Sequence, residues 1–172
     1  RRAAEVVRRL RDFFRAGTTR LEEVPVAELL QAAKVVADGL KKGSQIAVVA
    51  TCGSDLPAVL VGRLQMELVL RNLVANAVEA IGPRGGETGR IELSATRESP
   101  SQIRIAVTDT GPGIPAESRE RIFEPFMSGK PSGMGLGLAV SRAIVEAHGG
   151  KLDTRPGAHG EFRLVLPIER RA

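Results

Sequence analysis

Apolar residues along this chain repeat with two different periods, and the switches between them divide it into elements. Over 3–16, Val6, Leu10, Phe13 and Phe14 form one stripe and arginines take the other side, which predicts an amphipathic helix ended by Gly17-Thr18-Thr19. "EVPV" (23–26) predicts a short edge strand, where Pro25 is tolerable. A second helix is predicted over 25–42, with Leu29, Leu30, Ala33, Val36, Ala37 and Leu40 inward and Gly43 as its C-terminal cap. "SQIAVVAT" (44–51) and "AVLV" (58–61) are short and β-branched, as strands are. Helical periodicity returns over 63–81, and "GPRGGETG" (82–89) reads as a loop.

The second half alternates more strictly. "RIELSATRE" and "QIRIAVTDT" predict paired strands about a turn at "SPS". Residues 111–137 are rich in Gly, Pro and Ser, with "AESRERIF" as a short helix among them. "LGLAVSRAIVEAH" predicts a helix stopped by Gly149-Gly150, and "KLDTRP" and "EFRLVLPI" predict two last strands hinged at "GAHG". The order predicts an α+β fold: a two-layer α/β sandwich in which one mixed, mostly antiparallel sheet carries three helices on one face. No internal repeat or low-complexity tract interrupts it.

Composition changes this picture little. The 172 residues are 42% hydrophobic and 26% charged, enough for one domain with a substantial core. No Trp, no Tyr and only five Phe argue against an aromatic platform for single-stranded nucleic acid. The lone Cys52 excludes an internal disulfide and a multi-cysteine metal site, and reads as a small apolar residue. No apolar run approaches the roughly 18 residues of a membrane span, and no signal core follows the basic start. The chain opens mid-helix without Met, as a fragment of a longer chain would; the expected location is cytoplasmic, with membrane attachment of the full-length protein left open to parts outside this chain. A net charge of +5 permits an anionic partner, but the arginines are scattered, as on an ordinary solvated surface.

Three features could carry chemistry. Asn72 and Asn76 lie one turn apart on the 63–81 helix, so they share a face. Their amide oxygens suit Mg²⁺, or the amides serve only to bond nearby backbone. "DTGPGI" ends an apolar strand, and ionised Asp109, which can only accept hydrogen bonds, suits the exocyclic amine of adenine; an ordinary Asp-Gly turn is the plainer alternative. "SGMGLGL" places Gly133, Gly135 and Gly137 before a helix, whose free N–H groups and dipole favour phosphate. Gly129-Lys130 is followed by Pro131 and is no Walker A loop.

In this order the features resemble the ATP-binding catalytic domain of two-component sensor histidine kinases, over essentially 21–172. "ELVLRNLVANAVEAI" looks like the family's N box, "DTGPGI" its first glycine box and "IFEPFMSGK" its F box. "GMGLGLAVSRAIVEAHGG" looks like its second glycine box and "GEFRLVLP" its closing strand, in the manner of the oxygen-sensor and nitrogen-regulator kinases.

The resemblance implies a Bergerat-type ATP-binding fold with ATP and Mg²⁺. Asn76 would hold the metal with Asn72 assisting, and Glu79 would join the ATP site. Asp109 would bind adenine within a wall shaped by Gly111, Gly113 and Ile114. Phe123 and Phe126 would anchor a lid over about 124–133. Lys130, Gly133, Gly135, Leu136, Gly137 and Leu138 would close over the phosphates. Residues 1–20 would end the dimerisation and phosphoacceptor hairpin, and 21–172 would be the catalytic domain. Expected partners are that hairpin's own domain and a response regulator receiver, in a homodimeric full-length protein without nucleic acid.

The acceptor histidine and any base are expected outside this chain. His148 ends a helix, where its meeting with the dipole suggests a structural role; His159 lies in a turn, and neither follows the acceptor pattern. Hydrolases of the same fold place a catalytic Glu where Asn72 stands, and Glu67, nine residues before Asn76, is a poor substitute, so an ATP hydrolase is the lesser reading. A degenerate docking or nucleic-acid-binding module is the other, against which the intact asparagines, Asp109 and glycines argue.

Overall fold

The computed structural model describes residues 2–15, 20–41, 44–82, 88–125 and 136–168, with side chains in the first segment over 4–13. Helix α1 (Arg2–Arg15) precedes strand β1 (Glu22–Val24) and helix α2 (Val26–Leu40). Strands β2 (Ile46–Cys52) and β3 (Val59–Val61) lead into helix α3 (Arg63–Ile81). Strands β4 (Gly89–Ser99) and β5 (Gln102–Pro112) follow, then helix α4 (Gly137–Ala147) and strands β6 (Lys151–Thr154) and β7 (His159–Pro167).

The main sheet has five strands in the order β2-β4-β5-β7-β6, with β2 parallel to β4 and every other pair antiparallel. Alternation sets its two faces. Ile91, Leu93, Ile103, Ile105, Val107, Leu152, Phe162, Leu164 and Leu166 are buried beneath α2, α3 and α4. Arg90, Glu92 and Thr96 of β4 are exposed on the other face. Helix α1 lies outside this sandwich and packs on α4, where Arg11 pairs with Glu146 at 3.0 Å.

Several expectations change. β1 and β3 do not join the main sheet: they pair with each other alone, Glu22 opposite Val61 and Val24 opposite Val59. β1 stops before Pro25, which lacks an N–H to continue a ladder and instead precedes α2. "AESRERIF" is two separate 3₁₀ turns, 116–118 and 121–123, because the segment is short, follows Pro115 and must turn Phe123 into the core. Phe13 is 67% exposed and Leu40 is 40% exposed rather than inward. Cys52 is exposed, since it ends β2 at the sheet's edge. Gly43 lies outside the described residues, and the α2 exit is made by Lys41, whose N–H bonds to the Ala37 carbonyl.

Candidate functional site

Helix α3 is the spine of the site. Met66, Val69, Leu70, Leu73, Val74, Ala77 and Ile81 are buried and fix its rotation. That rotation puts half-buried Asn72 and Asn76 on its flank, with exposed Glu79 three residues on. Asn72 Nδ2 donates to the Gly137 carbonyl at 3.1 Å and to Ser141 Oγ at 3.0 Å. The asparagine side chain therefore meets the beginning of α4. Glu67 lies two and a half turns before Asn76, on the opposite side of α3.

Helix α4 opens at Leu136, Gly137 and Leu138 without a side-chain cap. Its first N–H groups and the positive end of its dipole therefore favour an anion. Gly137 is exposed, while Leu136 and Leu138 are half-buried.

The other end of α3 meets the end of β5. A Cβ on Gly111 would lie 2.6 Å from the Ala80 carbonyl oxygen, so this approach requires glycine. Asp109 is 4% exposed, and its Oδ1 accepts the Gly111 N–H at 2.8 Å. Gly160 of β7 lies against the same carboxylate: a Cβ there would stand 2.3 Å from Asp109 Oδ2. The β6–β7 turn backs this strand end, with the Gly113 N–H donating to the Ala158 carbonyl at 3.2 Å and His159 Nδ1 3.2 Å from the Gly111 carbonyl. Ile114 is half-buried against the core. From Asn72 to Ala80 is eight residues of α3, about 12 Å along the axis. A carboxylate thus stands near one end of that span and the N-terminus of α4 at the other.

Phe123 is buried edge-on against Phe162, with centroids 6.2 Å apart, and the Arg142 guanidinium lies 4.4 Å from its ring centre. Arg142 also pairs with Glu120 at 3.1 Å, Glu146 at 3.5 Å and Asp153 at 3.8 Å. It fastens the 116–123 segment onto α4 and β6. His148 is buried, with Nδ1 2.8 Å from the Ile144 carbonyl and Nε2 accepting the Gly62 N–H at 3.0 Å. Its hydrogen bonds tie the end of α4 to the start of α3, a structural tie.

Phe126, Lys130, Gly133 and Gly135 lie outside the described residues. Among the described residues, no three His, Cys, Asp or Glu cluster as a metal site. Sequence reading missed Ser141, Arg142 and Gly160. Ser141 carried a signal: it is the polar residue one turn after Gly137 in a helix otherwise nearly filled with small apolar side chains.

A sheet covered on one face by helices, with a buried carboxylate and the start of a second helix set along one asparagine-bearing helix, defines a two-layer α/β sandwich. The chain belongs to the histidine kinase-, DNA gyrase B- and HSP90-like ATPase family, which matches residues 62–170. Within it, this is the catalytic domain of a sensor histidine kinase. It is 35% identical over 172 residues to the C4-dicarboxylate transport sensor protein DctS of Rhodobacter capsulatus, covering 98% of this chain and 26% of that protein. It is 34% identical over 170 residues to the sensor protein FixL of Bradyrhizobium diazoefficiens, covering 96% and 33%. The catalytic domain of histidine kinase ThkA superposes with a TM-score of 0.75 at 31% identity, over 86% of this chain and 95% of that one. The chain thus spans about a quarter to a third of the length of these curated relatives. No helix of the described residues is long and apolar enough to cross a membrane.

Proposed function

We propose that this domain binds ATP with Mg²⁺ and delivers the γ-phosphoryl group to a histidine on the dimerisation domain, for onward transfer to a response regulator receiver. The observation that carries this is the layout along α3, with Asp109 at one end and the α4 N-terminus at the other. Asp109, already accepting the Gly111 N–H through Oδ1, would also accept from the adenine amine. The amides of α4 would receive phosphate oxygens. Asn76 and Asn72 supply neutral hard oxygens, which fit a cation that keeps water and phosphate in its shell. Bound there, Mg²⁺ would neutralise phosphate charge, and catalysis is positioning and electrostatics rather than covalent chemistry. Phe123, held by Phe162 and Arg142, would fix the segment leading into the lid.

We read residues 1–20 as the end of the dimerisation and phosphoacceptor hairpin and 21–172 as the catalytic domain. In support, α1 packs on α4 outside the sandwich. The full-length protein would be a homodimer working in the cytoplasm. The full-length kinase ShkA, solved in complex with AMPPNP at 31% identity and a TM-score of 0.73, supports a nucleotide in this fold.

Titration with a non-hydrolysable ATP analogue tests the reading. Asp109→Asn keeps an oxygen for the Gly111 N–H but loses the charge. We expect an affinity loss of roughly 1.5–3 kcal/mol, about 10- to 150-fold. Unchanged affinity, or no binding by the parent chain, would overturn the assignment.

A further inference from the structure

The Asn72 side chain has two ends, and the structure commits one of them. Both of its hydrogen bonds leave from Nδ2, to the Gly137 carbonyl at 3.1 Å and to Ser141 Oγ at 3.0 Å. An amide NH₂ has two protons, and two acceptors occupy them. The reverse orientation would set Oδ1 against the Gly137 carbonyl, acceptor against acceptor, which fixes the assignment of the amide. Ser141 is fully buried on α4, one turn after Gly137, so it stands behind the asparagine and is screened from any ligand. Gly137 completes the brace: a Cβ there would touch the Asn72 amide at 3.7 Å, so the backbone lies directly over it.

We infer that Asn72 can meet a ligand only through Oδ1, and that Ser141 is the positioning residue that holds it so. An amide oxygen accepts hydrogen bonds and binds cations, but it repels a phosphate oxygen. The partner of Asn72 is therefore a cation or a hydrogen-bond donor and not the phosphate itself, and on the nucleotide reading it is the divalent cation or a water on that cation. This rests on the nucleotide-binding reading above and deepens it. It assigns a role to a serine that touches no ligand. Asn72, tied to α4, presents the metal with a pre-set oxygen.

The test uses the whole chain with Ser141→Ala and Ser141→Cys; both are small, and Cys keeps the shape with a much weaker acceptor. A fluorescent ADP analogue is titrated at fixed concentration with Mg²⁺, and again in chelator. The Mg²⁺ needed for half-maximal binding should rise about 3- to 10-fold in both variants. Binding in chelator should stay within about twofold, and the melting temperature close to the parent. Equal losses with and without Mg²⁺, or no loss in either, would overturn the inference.

A second measurement follows the Asn72 side-chain NH₂ resonances by NMR. In the ligand-free parent they should be protected from exchange, and they should shift little with ADP alone. NH₂ protons that exchange freely without ligand, or shift strongly with ADP in chelator, would refute the brace. A parent chain that binds no nucleotide would sink the function beneath it, and protection in the ligand-free protein tells the two failures apart.

Discussion

His148 offers the sharpest check on how the site is held. Its ring joins residues 86 apart in sequence, accepting the Gly62 N–H at 3.0 Å just before α3 begins and contacting the Ile144 carbonyl on α4. His148→Ala removes the acceptor and leaves the buried Gly62 N–H with no partner from that side, at about 1–3 kcal/mol. The space left by a 5% exposed ring adds roughly 1–2 kcal/mol more in lost packing. The sum is about 2–5 kcal/mol. At roughly 2–4 °C per kcal/mol for a chain of this size, the midpoint should fall by about 4–20 °C. His148→Gln can return an amide oxygen to Gly62 and should recover a large part of that loss. Thermal unfolding by circular dichroism of parent, Ala and Gln chains reads both. An Ala variant melting within about 2 °C of the parent, or a Gln variant no better than Ala, would refute the bridging role.

Three further outcomes are expected. Gly113→Ala would drive a Cβ to 1.8 Å from the Gly157 carbonyl, so the β6–β7 turn must move; a loss of about 1–3 kcal/mol should appear in thermal melts, and an unchanged melt would contradict the packing. Arg142→Ala should speed hydrogen exchange over 116–123 by about 3- to 30-fold, from roughly 0.5–2 kcal/mol of lost cation–π and ionic contact, while exchange in α3 stays as it was. The chain incubated with labelled ATP should carry no acid-labile phosphate, because both His148 nitrogens are engaged in a buried site and the proposed acceptor is a histidine of the dimerisation domain; labelling of His148 or His159 would overturn this.

Much of this fold was legible because long elements repeat their pattern often enough to decide. The 63–81 helix matches α3 residue for residue, and its two asparagines stood out among Leu68, Val69, Leu73, Ala75 and Ala80, the apolar residues one turn from them. The 11-residue strands β4 and β5 showed their alternation plainly. Three-residue β1 and β3 did not: so few positions cannot say whether a strand joins the main sheet or pairs apart. Cys52 misled for a related reason, since β2 is parallel to its one neighbour and its far side is an edge, which no local pattern reveals. Ser141 and Arg142 were missed because their partners lie far off in sequence or on other elements: Asn72 is 69 residues from Ser141, and Glu120 is 22 from Arg142.

The glycines carry the last step. "DTGPGI" could be read as a turn or as a ligand wall, and sequence alone could not separate them, because both want residues without side chains. The structure separates them by what a Cβ would strike: the α3 backbone at Gly111, the β6–β7 turn at Gly113 and the Asp109 carboxylate at Gly160. Three elements converge on one buried carboxylate, and each contact depends on a missing side chain. That convergence puts Asp109 beside the C-terminal turn of the helix whose Asn72 touches α4 about 12 Å away. A glycine that merely permitted a turn would tolerate alanine wherever φ is negative. Here neither Gly111 nor Gly113 has positive φ, so the close approach that builds the site, and not the turn, is what requires them.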